Sequence, residues 1–332
     1  MNLQLTPFSA LSPDLILSAL ESVGYVCDGR LLALNSYENR VYQVGIEQAA
    51  PVVVKFYRPQ RWTNAAIIEE HSFVQALADA EIPAVPPLRL SANSSLSEYE
   101  GFRFAVFPKQ GGRVPELQGT DQLQWMGRFI GRIHAIGAAK SYKERPTLTF
   151  TSFGDEPRAY LLEHDVIPRD LLAAYSSASA YALDAVKRCF ERAGTTKLLR
   201  LHGDCYPGNI LWTDDGPHFV DFDDSRMGPA IQDLWMLLAG DRMEMASQLS
   251  HLLKGYRMFY DFDPSELHVL EALRTLRLIH YSAWLAKRWD DPAFPLAFPW
   301  FNSARYWQDR IGELKEQIAL MDEGPLVVDC SA

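Results

Sequence analysis

Cations are the minority charge in this chain: 32 Lys plus Arg stand against 42 Asp plus Glu, a formal net charge of −10. That deficit argues against a broad surface tracking nucleic-acid phosphates, so nucleic acid is not expected as a partner. Cysteine is also scarce. Cys27, Cys189, Cys205 and Cys330 lack paired spacing, so neither a disulfide framework nor a zinc site is expected, and a reducing, cytoplasmic setting is the simplest reading. No apolar run approaches the roughly 20 residues that cross a bilayer, and Met1 to Ser12 lacks the basic flank and apolar stretch of a secretory signal. A membrane is therefore expected neither as location nor as partner. The chain contains no internal repeat and no GxxxxGK[ST] sequence, which removes the P-loop NTPase class.

What is present is a globular composition: 48% hydrophobic and 12% aromatic residues in a chain of 332. That length suggests two lobes with a cleft between them. Ser12-Pro13-Asp14 carries a helix-start signal, followed by Leu15, Ile16, Ala19 and Leu20 at helical spacing. Short β-type runs follow at Leu31 to Leu34, Arg40 to Ile46 and Pro51 to Tyr57, the strongest being Val52-Val53-Val54-Lys55-Phe56. A helix is expected near Thr63, with Ile67, Glu70, Phe73, Val74 and Leu77 on one face, and then strands around Phe102 to Phe107. Pro108-Lys109-Gln110-Gly111-Gly112 reads as a hinge. Beyond it the patterns are helical: Gln122 to Ile136, Leu171 to Ala193, Ile231 to Leu238, Met243 to Tyr260, Pro264 to Trp289 and Ser303 to Met321. Only Leu198 to Asp223 interrupts them with β-like runs. The expected fold is α+β: a small antiparallel-sheet lobe over residues 1–109 and a mostly helical lobe over 110–332.

Chemistry concentrates in that interruption. Leu201-His202-Gly203-Asp204-Cys205-Tyr206-Pro207-Gly208-Asn209 places an Asp and an Asn five positions apart before an apolar strand. Pro217 to Asp224 then puts Asp221 at the end of a second short strand. Between Leu201 and Asp241 there are eight acidic residues and one basic, Arg226, a concentration that is repulsive unless solvated or met by a cation. Mg²⁺ takes oxygen ligands and commonly uses one or two protein carboxylates plus phosphate oxygens.

HGDxxxxN followed by a strand Asp resembles the catalytic and metal-binding segment of the protein-kinase-like phosphotransferases of the aminoglycoside/choline kinase superfamily. More narrowly, Arg61-Trp62-Thr63, Leu201 to Trp212, Gly228-Pro229 through Met236 and Lys287-Arg288-Trp289 resemble the YihE/RdoA (SrkA) stress-response kinases, a bacterial Ser/Thr protein kinase family. The likeness covers nearly the whole chain and implies a two-lobed protein-kinase-like fold with ATP as co-substrate and Mg²⁺ as cofactor. It implies Asp204 as the catalytic Asp that accepts or orients the acceptor's hydroxyl proton, Asn209 as a metal ligand, and Asp221 as both a catalytic and a metal-binding residue. Phe222-Asp223 follow Asp221, so the Gly of the DFG triplet of ordinary eukaryotic kinases is absent.

For the nucleotide, the resemblance implies Lys55 on the α- and β-phosphates, with Glu70 as its partner, because Glu69 points about 100° away on the helix. Ser36, in the glycine-free loop Ser36 to Arg40 that replaces a Gly-rich loop, would bond phosphate or become phosphorylated. Phe107 and Lys109 occupy the hinge whose backbone reads adenine. Asp233 resembles the helix-start Asp that bonds the catalytic loop, while His202 and Cys205 are expected to support and pack that loop. Asp223 and Asp224 either touch the metal or a cationic acceptor or stay solvated. The aromatic cluster Trp284, Trp289, Phe294, Phe298, Trp300 and Phe301 either packs the core or lines an acceptor pocket.

The expected activity is a stress-response Ser/Thr protein kinase that also phosphorylates itself. A kinase of choline, homoserine or an aminoglycoside-like hydroxyl is the alternative, since an acidic lobe rimmed by tryptophans suits an ammonium. A nucleotide-binding pseudokinase is a third, opposed by the joint presence of Lys55, Asp204, Asn209 and Asp221. The sequence carries no statement of oligomeric state.

Overall fold

Ser12 caps the first helix: its hydroxyl accepts from the Leu15 amide at 3.2 Å, and Pro13 opens α1 (Pro13–Glu21). A computed structural model describes residues 7–90, 94–117 and 119–329; Met1 to Thr6 of the segment read above for a signal, and Cys330, lie outside them. Two units divide the chain. The first comprises Met1–Glu116, Tyr142–Arg145 and Tyr206–Ser225; the second comprises Leu117–Ser141, Pro146–Cys205 and Arg226–Ala332.

The first unit is built on a five-stranded antiparallel sheet. Its strands are β1 (Cys27–Leu34), β2 (Arg40–Ile46), β3 (Val52–Phe56), β4 (Ser97–Tyr99) and β5 (Phe102–Pro108), in the order β1-β2-β3-β5-β4. Alternation along each strand gives the sheet two different faces. On one, Val44, Val54, Phe56, Phe104 and Val106 are fully buried against Ile16, Ala19 and Leu20 of α1. On the other lie Lys55 and Ala105, aligned across β3 and β5, with Ala105 packed against Ile67 of α2 (Asn64–Asp79). Thr63 caps α2 through a 3.1 Å bond from Ala66, and the stripe Ile67, Glu70, Phe73, Val74, Leu77 is buried as its spacing predicts.

This unit reaches beyond the 1–109 span read from the sequence. The hairpin β7 (Ile210–Thr213) and β8 (Gly216–Phe219) belongs to it for a backbone reason. Phe219 donates to the Pro83 carbonyl at 2.8 Å, Val85 donates to Phe219 at 3.1 Å, and Arg113 and Trp212 exchange both bonds. Strands so paired move as one body, whatever their distance along the chain.

The second unit is helical: α3 (Thr120–Ala138), α4 (Glu156–Glu163), α5 (Arg169–Ala193), α6 (Ile231–Trp235), α7 (Arg242–Tyr256), α8 (Leu270–Lys287), α9 (Ala293–Ala297) and α10 (Ala304–Asp322). Its only strands among the described residues are the two-residue β6 (Leu199–Arg200) and β9 (Met227–Gly228), paired with each other. The Pro264 to Trp289 pattern predicts one helix. The structure instead shows a tight turn over Pro264–Val269 leading into α8, its start capped by Asp263, whose carboxylate accepts from Ser265 at 2.9 Å. The segments α4 and α9 carry Pro157 and Pro295 and no clear apolar stripe, which is why periodicity passes over them. Helices α3 and α7 approach closely through glycines. A Cβ on Gly127 would overlap the Leu252 carbonyl, and one on Gly255 the Gln124 carbonyl.

Candidate active site

Within the first unit, Lys55 is the centre of a buried charge cluster. Its Nζ donates to Asp221 Oδ1 at 2.7 Å and lies 3.7 Å from Asp223 Oδ1. Burial alone would pull the Lys55 ammonium down, but the carboxylates of Asp221, Asp223 and Glu70 outweigh it and hold the group above its ordinary range. Lys55 is therefore charged across the physiological range. Asp221 has a left-handed backbone, φ 59° and ψ 62°, rare for a residue with a Cβ and typical of functional turns. Half of its side chain stays exposed, so one face of the carboxylate remains open to a ligand.

The expected pairing of Glu70 with Lys55 is replaced here. Glu70 is buried as the helical spacing requires, but its Oε2 accepts from Arg145 Nη2 at 2.9 Å. Burial pushes the Glu70 carboxyl up, while Arg145 and then Lys55 draw it back. Arg145 also bonds the carbonyls of Ala66, Asp223 and Ser225, which fits a planar guanidinium with donors on several edges. Neighbouring Glu69 turns elsewhere and accepts from the backbone amides of Lys143, Glu144 and Arg145.

Asp223 is not solvated; it is buried and ion-paired with Arg61, whose other arm reaches Asp224 at 2.8 Å. Burial raises the Asp223 carboxyl, yet Arg61, Lys55 and Arg145 together bring it below the usual carboxylate range. Arg61 lies 3.8 Å from Glu38 as well, and Arg58 bonds Glu38 at 3.0 Å. Arg58 further donates to the carbonyls of Glu38 and Tyr37, and its own amide donates to Asn39 Oδ1 at 3.0 Å. Two arginines thus fasten the glycine-free loop that carries Ser36, whose hydroxyl donates to the Asn39 carbonyl at 3.3 Å.

Beside Lys55 the same face of the sheet carries Leu32, Leu34, Val41, Gln43, Val53 and Phe107, paired across strands and only partly buried. Leu32 is 57% exposed. Such a half-covered aliphatic surface suits a flat aromatic ligand. Lys109 follows β5 and is exposed.

Asn209 belongs to this unit too. It is 8% exposed, and its carbonyl accepts from Val220, the residue before Asp221, at 3.1 Å. Among the described residues no group of three or more His, Cys, Asp or Glu is gathered for a metal. The amide oxygen of Asn209 and the carboxylate of Asp221 are hard oxygen donors, of the kind a divalent metal ion takes.

Asp204 lies in the second unit, five residues before Asn209 along the chain. Its loop is pinned by Asp233, which accepts from the amides of His202 at 2.8 Å and Gly203 at 2.9 Å and from His134 Nε2 at 3.1 Å. Gly203 has φ +86°, a conformation that costs a side-chain-bearing residue and lets two successive amides face one carboxylate. Burial would raise Asp233, but the bond from His134, with His202 and the Gly203 amide beside it, holds it below its ordinary value. His202 is buried, and its Nδ1 accepts from the Asp204 amide at 3.4 Å. Burial, with Asp233 and Asp204 nearby, pushes the Cys205 thiol far up, so it is a packed group and not a nucleophile. The Asp204 carboxylate itself meets Arg277 Nη1 of α8 at 2.8 Å.

Of the aromatic cluster, Phe294 and Phe301 are core residues, while Trp300 is 43% exposed and Trp284, Trp289 and Phe298 are half-buried. Arg61, Arg145 and Arg277 were not marked as site residues by the sequence. Their partners lie 162, 75 and 73 positions away, beyond the reach of any local pattern.

Three comparisons bear on this arrangement. The model of the phosphotransferase enzyme family matches residues 30–270. Stress response kinase A of Escherichia coli is 44% identical over 98% of both chains, and the serine/threonine protein kinase RdoA of Salmonella typhimurium 43% identical over the same shares. Among solved structures, amicoumacin kinase in complex with AMP-PNP, Ca²⁺ and its ligand superposes with a TM-score of 0.74 at 19% identity, covering 95% of this chain and 94% of that one. That last likeness shows the fold, the α+β architecture of kinase-like phosphotransferases.

Proposed function

We propose, from the premise that this chain belongs to the phosphotransferase enzyme family and is a kinase, that it transfers the γ-phosphoryl of MgATP to Ser or Thr of a protein, its own chain included. The observation that carries this reading is the 2.7 Å contact between Lys55 and Asp221, two residues 166 positions apart with the expected chemistry for phosphate and metal.

Each residue has a role in that reading. The half-covered face of the sheet, with Phe107 and the backbone up to Lys109, receives the adenine. Lys55 holds the α- and β-phosphates, kept charged by Asp221 and Asp223. Arg58 and Arg61 fix the loop that lies over the phosphates, so that Ser36 and the loop backbone meet them with a rigidity that a glycine-rich loop would lack. Asn209 and Asp221 are the metal ligands; Mg²⁺, when bound, neutralises phosphate charge. Asp204 orients the acceptor hydroxyl. Its oxygen attacks the γ-phosphorus, the bond between that phosphorus and the β–γ bridging oxygen breaks, ADP departs with the bonding pair, and Asp204 takes the hydroxyl proton.

Positioning and electrostatics supply most of the acceleration in such a transfer, so a fixed Asp204 matters as much as its basicity. Asp233 provides that fixity by bonding the two amides next to it.

The acceptor is tested directly. With γ-labelled ATP and Mg²⁺, label is expected on the chain itself and on a generic Ser/Thr protein substrate. Label appearing solely on added choline, homoserine or an aminoglycoside would replace this reading with the small-molecule one. Nucleotide binding without any transfer would leave a pseudokinase.

A further inference from the structure

Helix α8 leads away from Asp204 with a partly exposed stripe of alternating character: Arg277, Tyr281, Trp284 and Arg288, at spacings of four, three and four. Residues so spaced share one helix face. The Tyr281 and Trp284 rings stack with centroids 5.6 Å apart, and the Arg288 guanidinium lies 5.4 Å from the Trp284 centroid. At the other end, Arg277 Nη1 sits 2.8 Å from Asp204 Oδ1 while 40% of the Arg277 side chain stays exposed.

We propose that this stripe is the acceptor-reading surface of the kinase and that it selects Ser or Thr flanked by acidic residues. The inference rests on the role given to Asp204 under the proposed function. Arg277 Nη1 is ion-paired with Asp204, and with 40% of its side chain exposed the guanidinium can also take a carboxylate from the acceptor beside the reacting hydroxyl. Arg277 thereby bridges the acceptor to the residue that orients its hydroxyl.

The geometry also sets a length. Arg277 and Arg288, the residue that caps the C-terminal end of α8, are eleven positions apart, about 16 Å along the helix axis at ~1.5 Å per residue. An extended peptide covers that distance in about five residues at ~3.3 Å each. A second acidic position about five residues from the phosphorylated one would meet Arg288, whose Nη1 also donates to the Trp284 carbonyl at 3.3 Å, with a side chain between them on the Tyr281–Trp284 platform. A cationic amino alcohol finds the opposite: its ammonium would enter against the Arg277 guanidinium, whose charge already matches that of Asp204. Charge thus favours the acidic peptide over the choline-like acceptor on this face.

The test uses the full chain, MgATP and three synthetic peptides that differ in composition alone. One has Ser flanked by Asp with a Glu five positions on; the second has Asn and Gln there, and the third Lys. The acidic peptide is expected to exceed the neutral one at least tenfold in kcat/KM, and the Lys peptide to be poorest. Arg277→Glu is expected to invert that order, and Arg277→Lys to restore it in part. These are ratios between peptides, which a general loss of folding or turnover would not move. Equal kcat/KM for the three peptides, or an order unchanged in Arg277→Glu, overturns the inference while leaving a protein kinase in place. Label confined to a small amino alcohol overturns the protein-acceptor reading and this one with it.

Discussion

Asp204 and Lys55 carry separable burdens, and substitution should separate them. Lys55→Met removes the ammonium that Asp221 and Asp223 hold, so kcat/KM for ATP should fall about 10²–10³-fold, as when a preorganised charge is removed. A steady-state titration of ATP checks this; a change under threefold would refute the role. The catalytic motif was legible in the sequence because its residues are local: Asp204 and Asn209 are five apart, and Asp221 ends the next hairpin. The arginines were not. Arg145 sits in the short connection after α3, where nothing in the pattern distinguishes it from a solvated cation, yet it is 4% exposed and bonds four different groups. The burial of Asp223 was not legible for the same reason. Its burial depends on Arg61, 162 positions earlier.

At the scale of elements, the sequence did well wherever one face had to be apolar. The stripe of α2 and the strands β2, β3 and β5 fall where periodicity puts them, because sheet and helix each bury a face against the other. What it could not show was Glu70 turning to Arg145, since both a lysine and an arginine can meet an inward carboxylate.

Two predictions belong here. His71 of α2 is buried between the Tyr57 hydroxyl at 2.7 Å and the Ser95 hydroxyl at 2.8 Å. Burial, then Lys55 and Arg145, lower it from 6.5 to about 3. A depressed histidine contributes stability that is present above its unfolded pKa and is lost as pH falls toward the folded one. Between about 6.5 and 3 the chain should therefore lose up to about 1.4 kcal/mol per pH unit that His71→Gln does not lose. Urea melts of both proteins at pH 7, 5 and 4 decide it; parallel lines would remove His71 from the account. The second concerns the loop. Asp233→Asn replaces a charged acceptor of two amides and should cost about 1.5–3 kcal/mol of stability, with a larger fall in kcat than in nucleotide affinity. Equal kcat in the variant would show that Asp233 is not what positions Asp204.

For the whole molecule, the prediction is linkage between ligand and fold. A ligand present at 100 times its Kd stabilises by about 2.7 kcal/mol, so MgATP should raise the melting temperature by several degrees. Asp221→Asn should lose most of that shift in the presence of Mg²⁺ while retaining what ADP gives alone. The order of strands and helices suggests two parts divided near residue 109, while the pairing of the β7–β8 hairpin with Pro83, Val85 and Arg113 could not be read from the sequence, because those three residues look like connections there.

The central claim is that Asp204 acts on the acceptor hydroxyl and has little part in holding nucleotide. It is tested most directly by Asp204→Asn, measuring MgATP affinity by calorimetry and transfer of γ-label to protein on the same preparation. The account predicts affinity within about threefold of wild type and transfer reduced by about 10²–10⁴-fold. Transfer near the wild-type rate, at that unchanged affinity, would contradict it.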